Sequence, residues 1–176
     1  MNTLNNINLK ATEKFYQEVQ ANPQVAKKTK RVEGEWRFGE GQPQFQAMLS
    51  YQEGERVIES DFAQFMGGKG LAPDPIQYCL YGMAACFAGT FVGLAAQEGI
   101  KISELKVIAE NHVDLSASLG LSENPIVESV SITIQVKTEA DREKLETLKN
   151  LAYERCPGVY CLTHPITLDT HLERME

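Results

Sequence analysis

The sequence predicts an α+β fold in which antiparallel sheets surround a long buried central helix. Three features predict it: alternating polar and apolar residues over 32–62, a stretch over 75–97 with no charged side chain, and a second alternating region over 105–136 that precedes an amphipathic helix. Strands, a buried helix, more strands and a further helix, in that order, are typical of α+β domains. At 176 residues the chain is long enough for one domain with a sizeable core.

The charge balance and the N-terminus limit the classes of partner. With 17 Lys and Arg against 24 Asp and Glu, the net charge of -7 repels phosphate backbones and anionic membrane surfaces. We therefore predict no nucleic-acid partner and no membrane association. The first 20 residues have no apolar core of the kind that a signal peptide needs, which favours a cytoplasmic protein. In a reducing compartment, its four cysteines are core residues, metal ligands or reactive thiols.

The first predicted element is an amphipathic helix over residues 9–21. Apolar side chains recur there at roughly helical spacing, and Asn22-Pro23 ends the helix. We assign residues 1–25 to an N-terminal helical extension and residues 26–176 to the main domain.

A three-stranded antiparallel meander is predicted next. Residues 32–38 alternate apolar and charged side chains, and two further strands are predicted over residues 45–51 and 57–62. Glycine-containing turns separate the three segments.

The charge-free stretch predicts a long helix. Asp74 suits the N-cap and Pro75 the first helical position, and residues 75–97 extend for about 35 Å as a helix. That length can cross a bilayer, but the polar residues within it, the few basic residues beside it and its amphipathic neighbours favour a soluble protein. A helix that is apolar on every side belongs in a core or at a subunit interface.

The second half of the chain again predicts strands followed by a helix. Strands are predicted over residues 105–115 and 126–136, a helix over 139–155 with leucines on one stripe, and a last strand over 166–172.

Two cysteines are the main candidates for chemistry. Cys86 lies two helical turns after Cys79, so both thiols point to one side about 10 Å apart, and either can be an ordinary core residue. Cys156 precedes Pro157, which favours a break between two helical segments. Its sulfur is then expected to face free backbone N–H groups at a helix N-terminus, where a thiolate is stabilised.

These cysteines lie in motifs that resemble the OsmC/Ohr family. The resemblance extends over most of the chain from residue 32 to residue 173, and its motifs are Asp-Pro-Ile-Gln at 74–77, Gly-Met-Ala-Ala-Cys-Phe at 82–87 and Glu-Arg-Cys-Pro at 154–157. It implies an OsmC-like domain over residues 26–176 and an intertwined homodimer, with its central helices packed at the middle and each active site built from both subunits. It also implies that Cys86 is the peroxidatic nucleophile, that Cys156 is the resolving thiol, and that a dithiol reductant reopens their disulfide without a cofactor.

The thiolate also needs a cation. In the organic hydroperoxide branch of the family, an Arg held by a Glu at the start of the central helix supplies it. In the Asn-Pro-Glu-Gln pattern of that branch, Ile76 stands at the Glu position and Gln77 matches the Gln. Other branches place a Glu at the position of Gln77. The nearest candidate for the Arg is Arg37, whose other interpretation is a solvated strand residue.

Three functions follow as hypotheses. The first is a thiol-dependent peroxidase that reduces peroxides through Cys86 and Cys156, with apolar substrates favoured by Phe87, Met83 and Tyr81. The second is a non-enzymatic redox or ligand-binding protein with the same fold. The third is a metal site formed by Cys156 with Cys161, His164 and His171, although their spacing matches no usual zinc signature and we expect no bound metal. Otherwise, Cys161 is a core residue or a third thiol that can exchange with the disulfide.

Overall fold

The computed structural model describes residues 2–175 and begins with a short hairpin that the sequence did not predict. Strands β1 (Thr3–Leu4) and β2 (Ile7–Asn8) pair antiparallel around Asn5 and Asn6, whose φ angles of 52° and 62° suit a tight two-residue turn. The Asn5 side chain donates to the Ile100 carbonyl and accepts from the Ile102 amide, which attaches the hairpin to the middle of the chain.

Helix α1 (Leu9–Ala21) follows the hairpin and confirms the predicted helix. The Asn8 side chain caps its N-terminus by accepting a hydrogen bond from the Ala11 amide. None of its side chains is buried, so the helix lies on the surface of the chain. A 3-10 turn (Pro23–Ala26) follows it.

The predicted meander is confirmed as an antiparallel sheet in the order β3 (Glu33–Trp36), β4 (Phe45–Tyr51) and β5 (Gly54–Ser60). The prediction for β4 was correct to the residue. The first strand is shorter than predicted. Strand β5 begins three residues before its predicted start because its pairing with β4 continues to the turn.

A glycine-rich loop connects this sheet to the central helix, and one buried carboxylate holds it. The Asp61 side chain accepts hydrogen bonds from the Leu71 and Lys69 amides. The hydrogen bond from the Leu71 amide is the largest cause, and together with weaker backbone hydrogen bonds it keeps the pKa of Asp61 below its ordinary value despite burial. A 3-10 turn (Gln64–Met66) lies within the loop.

Helix α2 (Pro75–Gln97) has the predicted bounds. The Asp74 side chain accepts from the Ile76 amide, and the Gln77 side chain accepts from the Asp74 amide, so the two residues form a capping box. The helix is long and apolar enough to cross a membrane by length and composition alone.

The second half contains a long antiparallel pair, β6 (Ile102–Val113) and β7 (Val127–Thr138), with the one-turn helix α3 (Leu115–Ser118) between the strands. Helix α4 (Arg142–Arg155) and helix α5 (Pro157–Thr163) follow. The mixed α+β composition and the antiparallel sheets are as predicted.

The core lies where one face of α2 packs against the second half of the chain. Phe91 has no exposed surface and packs in one cluster with Phe87 and Ala95 of α2 and with Leu148 and Ala152 of α4. In this chain the opposite face of α2 is open, since Tyr81 is 72% exposed and a β-carbon on Gly82 or Gly89 would touch nothing. The chain by itself therefore does not bury α2 on every side.

The predicted strand over residues 166–172 is wrong. No strand forms after α5 in the part of the chain that the structure describes, and Leu172 is 99% exposed. The alternation of Ile166 and Leu168 is genuine, but a strand needs a neighbouring edge, and this tail pairs with none among residues 2–175.

Candidate thiol site

Cys86 lies on α2 beside the core. Its neighbours Met83 and Phe87 are buried, and its own side chain is half-buried. Tyr81, which we expected to share an apolar wall with them, points to solvent instead. Cys79, two turns earlier, is also exposed, so the core interpretation is wrong for Cys79.

Cys156 separates α4 from α5, as predicted. Its backbone is extended, with φ of -81° and ψ of 118°, and Pro157 occupies the first position of α5. The side chain is only 1% exposed and packs in the core cluster with Phe87 and Leu148. Both helices therefore fix its position.

Gly158 lies against the side chains of both cysteines. A β-carbon on Gly158 would lie 3.4 Å from the Cys86 Cβ and 3.6 Å from the Cys156 Sγ. The absence of a side chain lets the start of α5 approach α2 closely. Two cysteines separated by 70 positions in the sequence thus lie around one glycine.

The expected role of the helix N-terminus is wrong for Cys156 but applies to Cys86. The Cys156 side chain makes no capping hydrogen bond to α5, because its sulfur is turned into the core. The Gly158 backbone N–H acts on the Cys86 thiol instead. Free N–H groups at the start of α5 were expected to face Cys156, whereas the one at Gly158 acts on Cys86.

The pKa of the Cys86 thiol is raised above its ordinary value. Burial is the largest cause, the Gly158 N–H opposes it, and the thiols of Cys156 and Cys161 raise it further. Within this chain, the site therefore holds Cys86 mainly as a neutral thiol at neutral pH.

The other two predicted site residues lie elsewhere in the chain. Gln77 is exposed and belongs to the capping box, about 14 Å along the helix from Cys86 at the usual rise per residue. Arg37 follows β3, and its guanidinium forms an ion pair of 3.0 Å with Glu59 of β5. The structure brings Cys86 and Cys156 together and leaves Gln77 and Arg37 apart from them.

Glu59 is a residue that sequence reasoning missed. It supplies the carboxylate for Arg37, and its backbone carbonyl accepts a 2.8 Å hydrogen bond from the Tyr78 hydroxyl at the start of α2. The Arg37–Glu59 pair therefore lies near the N-terminal end of α2, beside Tyr78. The strand register that places Glu35 opposite Gln46, and Gln46 opposite Glu59, determines this pairing, and a local sequence pattern does not reveal that register.

Two cavities flank these groups. One of about 690 Å³ lies between α2, β7, α4 and α5, and its lining includes Phe87 and Val159. The other, of about 330 Å³, is mostly apolar and lies on the three-stranded sheet beside Glu59 and Tyr78. The first adjoins Phe87 and Val159, which pack with Cys156 in the core cluster, and the second adjoins Glu59 of the ion pair.

The alternative metal site does not assemble. Within residues 2–175, no group of three or more His, Cys, Asp and Glu side chains is placed to hold a metal ion. The His164 ring stacks on Tyr160 at 4.0 Å, and His171 lies in the exposed tail. Cys161 is exposed, so its interpretation as a core residue is wrong.

Comparison with known proteins identifies the family of the chain. A family model described as OsmC-like protein matches residues 68–171. The organic hydroperoxide resistance protein OhrB of Bacillus subtilis (strain 168) is 32% identical over 85 residues, which are 48% of this chain. The chain spans 57% of the length of that relative.

Two solved structures share the fold. An OsmC-like protein from Mycoplasma pneumoniae superposes with a TM-score of 0.57 at 14% identity, covering 77% of this chain and 87% of the other. An organic hydroperoxide resistance protein OsmC from Legionella pneumophila superposes with a TM-score of 0.55 at 17% identity, covering 78% and 92%. The family match extends over more than half of the sequence and includes both Cys86 and Cys156, and on that basis the chain belongs to the OsmC-like protein family.

Proposed function

We propose that this protein is a thiol-dependent peroxidase that reduces peroxides through Cys86 and Cys156. The observation that carries the proposal is that the Cys86 Cβ and the Cys156 Sγ both lie against Gly158, with the two thiols close enough to act on one another. The similarity to OhrB, an organic hydroperoxide resistance protein, supports a peroxide substrate and a role in the response to oxidative stress.

The reaction follows from the two thiols. The Cys86 thiolate attacks one peroxide oxygen, the O–O bond breaks, and the alcohol or water leaves after taking a proton. Cys86 is then a sulfenic acid. The Cys156 sulfur attacks the Cys86 sulfur, a disulfide forms, and the hydroxyl leaves as water. A dithiol reductant reduces the disulfide and becomes oxidised itself.

A second copy of the chain completes the site in this proposal. Arg37 and Cys86 belong to different parts of one chain, and the face of α2 with Gly82 and Gly89 is open. An intertwined homodimer, as family membership implies, covers that face and brings Arg37 of one subunit toward Cys86 of the other. Gln77 then lies at the same interface as a neutral hydrogen-bonding group.

The direct test mixes purified protein with a peroxide and excess dithiothreitol. We expect repeated turnover, with cumene hydroperoxide consumed faster than hydrogen peroxide because Met83 and Phe87 give the site an apolar side. A protein that consumes neither peroxide under these conditions is not a peroxidase.

One observation favours a second candidate, a redox or ligand-binding protein without turnover. The pKa of Cys86 is raised, and a protonated thiol is a poor nucleophile. If no cation reaches Cys86 in the dimer, the thiol stays neutral and peroxide reacts slowly.

The pH dependence of Cys86 alkylation decides between the two. A raised pKa moves labelling by iodoacetamide to higher pH, whereas a nearby Arg37 lowers the pKa and permits labelling at pH 6. We expect the Cys86 of the native protein to be labelled at pH 6 about tenfold faster than that of Arg37→Ala.

The matched control is Arg31→Ala. Arg31 also forms an ion pair near the same sheet, with Glu33, but is highly exposed. Its removal should leave the labelling rate of Cys86 unchanged. Equal and slow labelling of the native protein and Arg37→Ala at pH 6 would support the second candidate.

A further inference from the structure

Cys161 is a third thiol beside the pair, and neither step of the proposed peroxide reaction uses it. It lies three residues after Gly158 on α5, and residues at that spacing share one helix face with Cβ atoms about 5–6 Å apart. Because a Gly158 Cβ would contact Cys86, Cys161 lies about one helical turn from the Cys86 side chain. Its effect on the pKa of Cys86 agrees with that proximity.

The three thiols differ in their access to solvent. Cys156 is 1% exposed, Cys86 is half-buried, and Cys161 is exposed. A reductant must approach one sulfur of a disulfide in line with the S–S bond, and buried sulfurs react slowly. A disulfide between Cys86 and Cys156 has one sulfur in the core cluster beside Phe87 and Leu148.

We propose that Cys161 transfers the disulfide from the buried pair to the surface. The proposal rests on the proposed peroxidase function, since that reaction creates the disulfide. It makes Cys161 a further catalytic residue, because its sulfur bonds directly to the reacting Cys86 sulfur.

The exchange balances with the groups already present. The Cys161 thiolate attacks the Cys86 sulfur, the Cys86–Cys161 bond forms, and Cys156 leaves as a thiolate that takes a proton. One thiolate of the dithiol then attacks the exposed Cys161 sulfur and releases Cys86. The second thiol of the reductant closes its own disulfide and releases Cys161. The net result is one oxidised dithiol and three reduced cysteines.

The test separates this exchange from peroxide chemistry. The Cys86–Cys156 disulfide is made with diamide, which oxidises thiols without any peroxide, and its reduction by dithiothreitol is followed. We expect Cys161→Ser to slow reduction about tenfold. Cys79→Ser is the matched control, because Cys79 is also an exposed cysteine but lies outside the cluster, and it should reduce at the native rate.

A trapping variant gives a second readout. In Cys156→Ser, diamide should join Cys86 to Cys161, and mass spectrometry of the digested protein should find the linked peptides. Native-rate reduction of Cys161→Ser, or a Cys156→Ser protein without that link, overturns the proposal. Because diamide replaces peroxide, these results stand even if the protein proves to have no peroxidase activity. A failure of the Cys161 exchange can therefore be distinguished from a failure of the proposed peroxidase function.

Discussion

Cys86→Ser is expected to reduce peroxide consumption to the background rate of the reductant alone. Serine keeps the size of the side chain, but its hydroxyl does not ionise at neutral pH and forms no sulfenic acid. The thiol is half-buried beside Met83 and Phe87, so the near-isosteric change should preserve the packing of α2. Coupled consumption of peroxide and dithiothreitol measures the effect.

Cys79→Ser controls for the loss of any thiol from α2. Cys79 lies two turns from Cys86 on the same helix and is exposed, so its removal should leave turnover unchanged. Unaltered thermal unfolding of both variants would show that the fold persists. Native activity in Cys86→Ser is incompatible with Cys86 as the nucleophile.

Gly158→Val should slow formation of the Cys86–Cys156 disulfide about a hundredfold, because displacing reacting groups by about 1 Å can cost that much. A Cβ at this position is already 3.4 Å from the Cys86 Cβ and 3.6 Å from the Cys156 Sγ. The two additional methyl groups of valine must push α5 away from α2, and overpacking of this kind costs about 1–3 kcal/mol. The rate of disulfide formation after addition of diamide, with remaining thiols alkylated at each time point, is the measurement.

Gly158→Ala provides the graded control. Its single methyl group reaches ordinary van der Waals contact without forcing the helices apart, so disulfide formation should change little. Thermal unfolding separates a local displacement of α5 from general loss of structure. A Gly158→Val protein that forms the disulfide at the native rate shows that this close approach does not position the sulfurs.

The parts of the fold that local chemistry determines were predictable. The Asp74-Pro75 start and the charge-free sequence after it gave the bounds of α2, and Pro157 placed the break at Cys156. These features depend on one or two neighbouring residues, so they can be read without knowledge of distant contacts.

Features that depend on distant partners were not predictable. The Arg37–Glu59 ion pair requires the register of three strands, and the direction of the Cys156 sulfur requires the position of the core. The tail over residues 166–172 shows the opposite error, because its alternation indicates a strand that pairs with no other strand in the described part of the chain. Local pattern therefore predicted the helix that carries Cys86 and the break at Cys156, while the pairing of the two thiols came from the family resemblance.

In the proposed function, Cys86 and Cys156 form one redox pair. Its most direct test is peptide mapping by mass spectrometry after one equivalent of peroxide is added to the reduced protein and free thiols are alkylated. We expect Cys86 to appear in a disulfide, joined first to Cys156, with Cys79 alkylated. Peroxide-treated protein in which Cys86 and Cys156 are both still fully alkylated would contradict it.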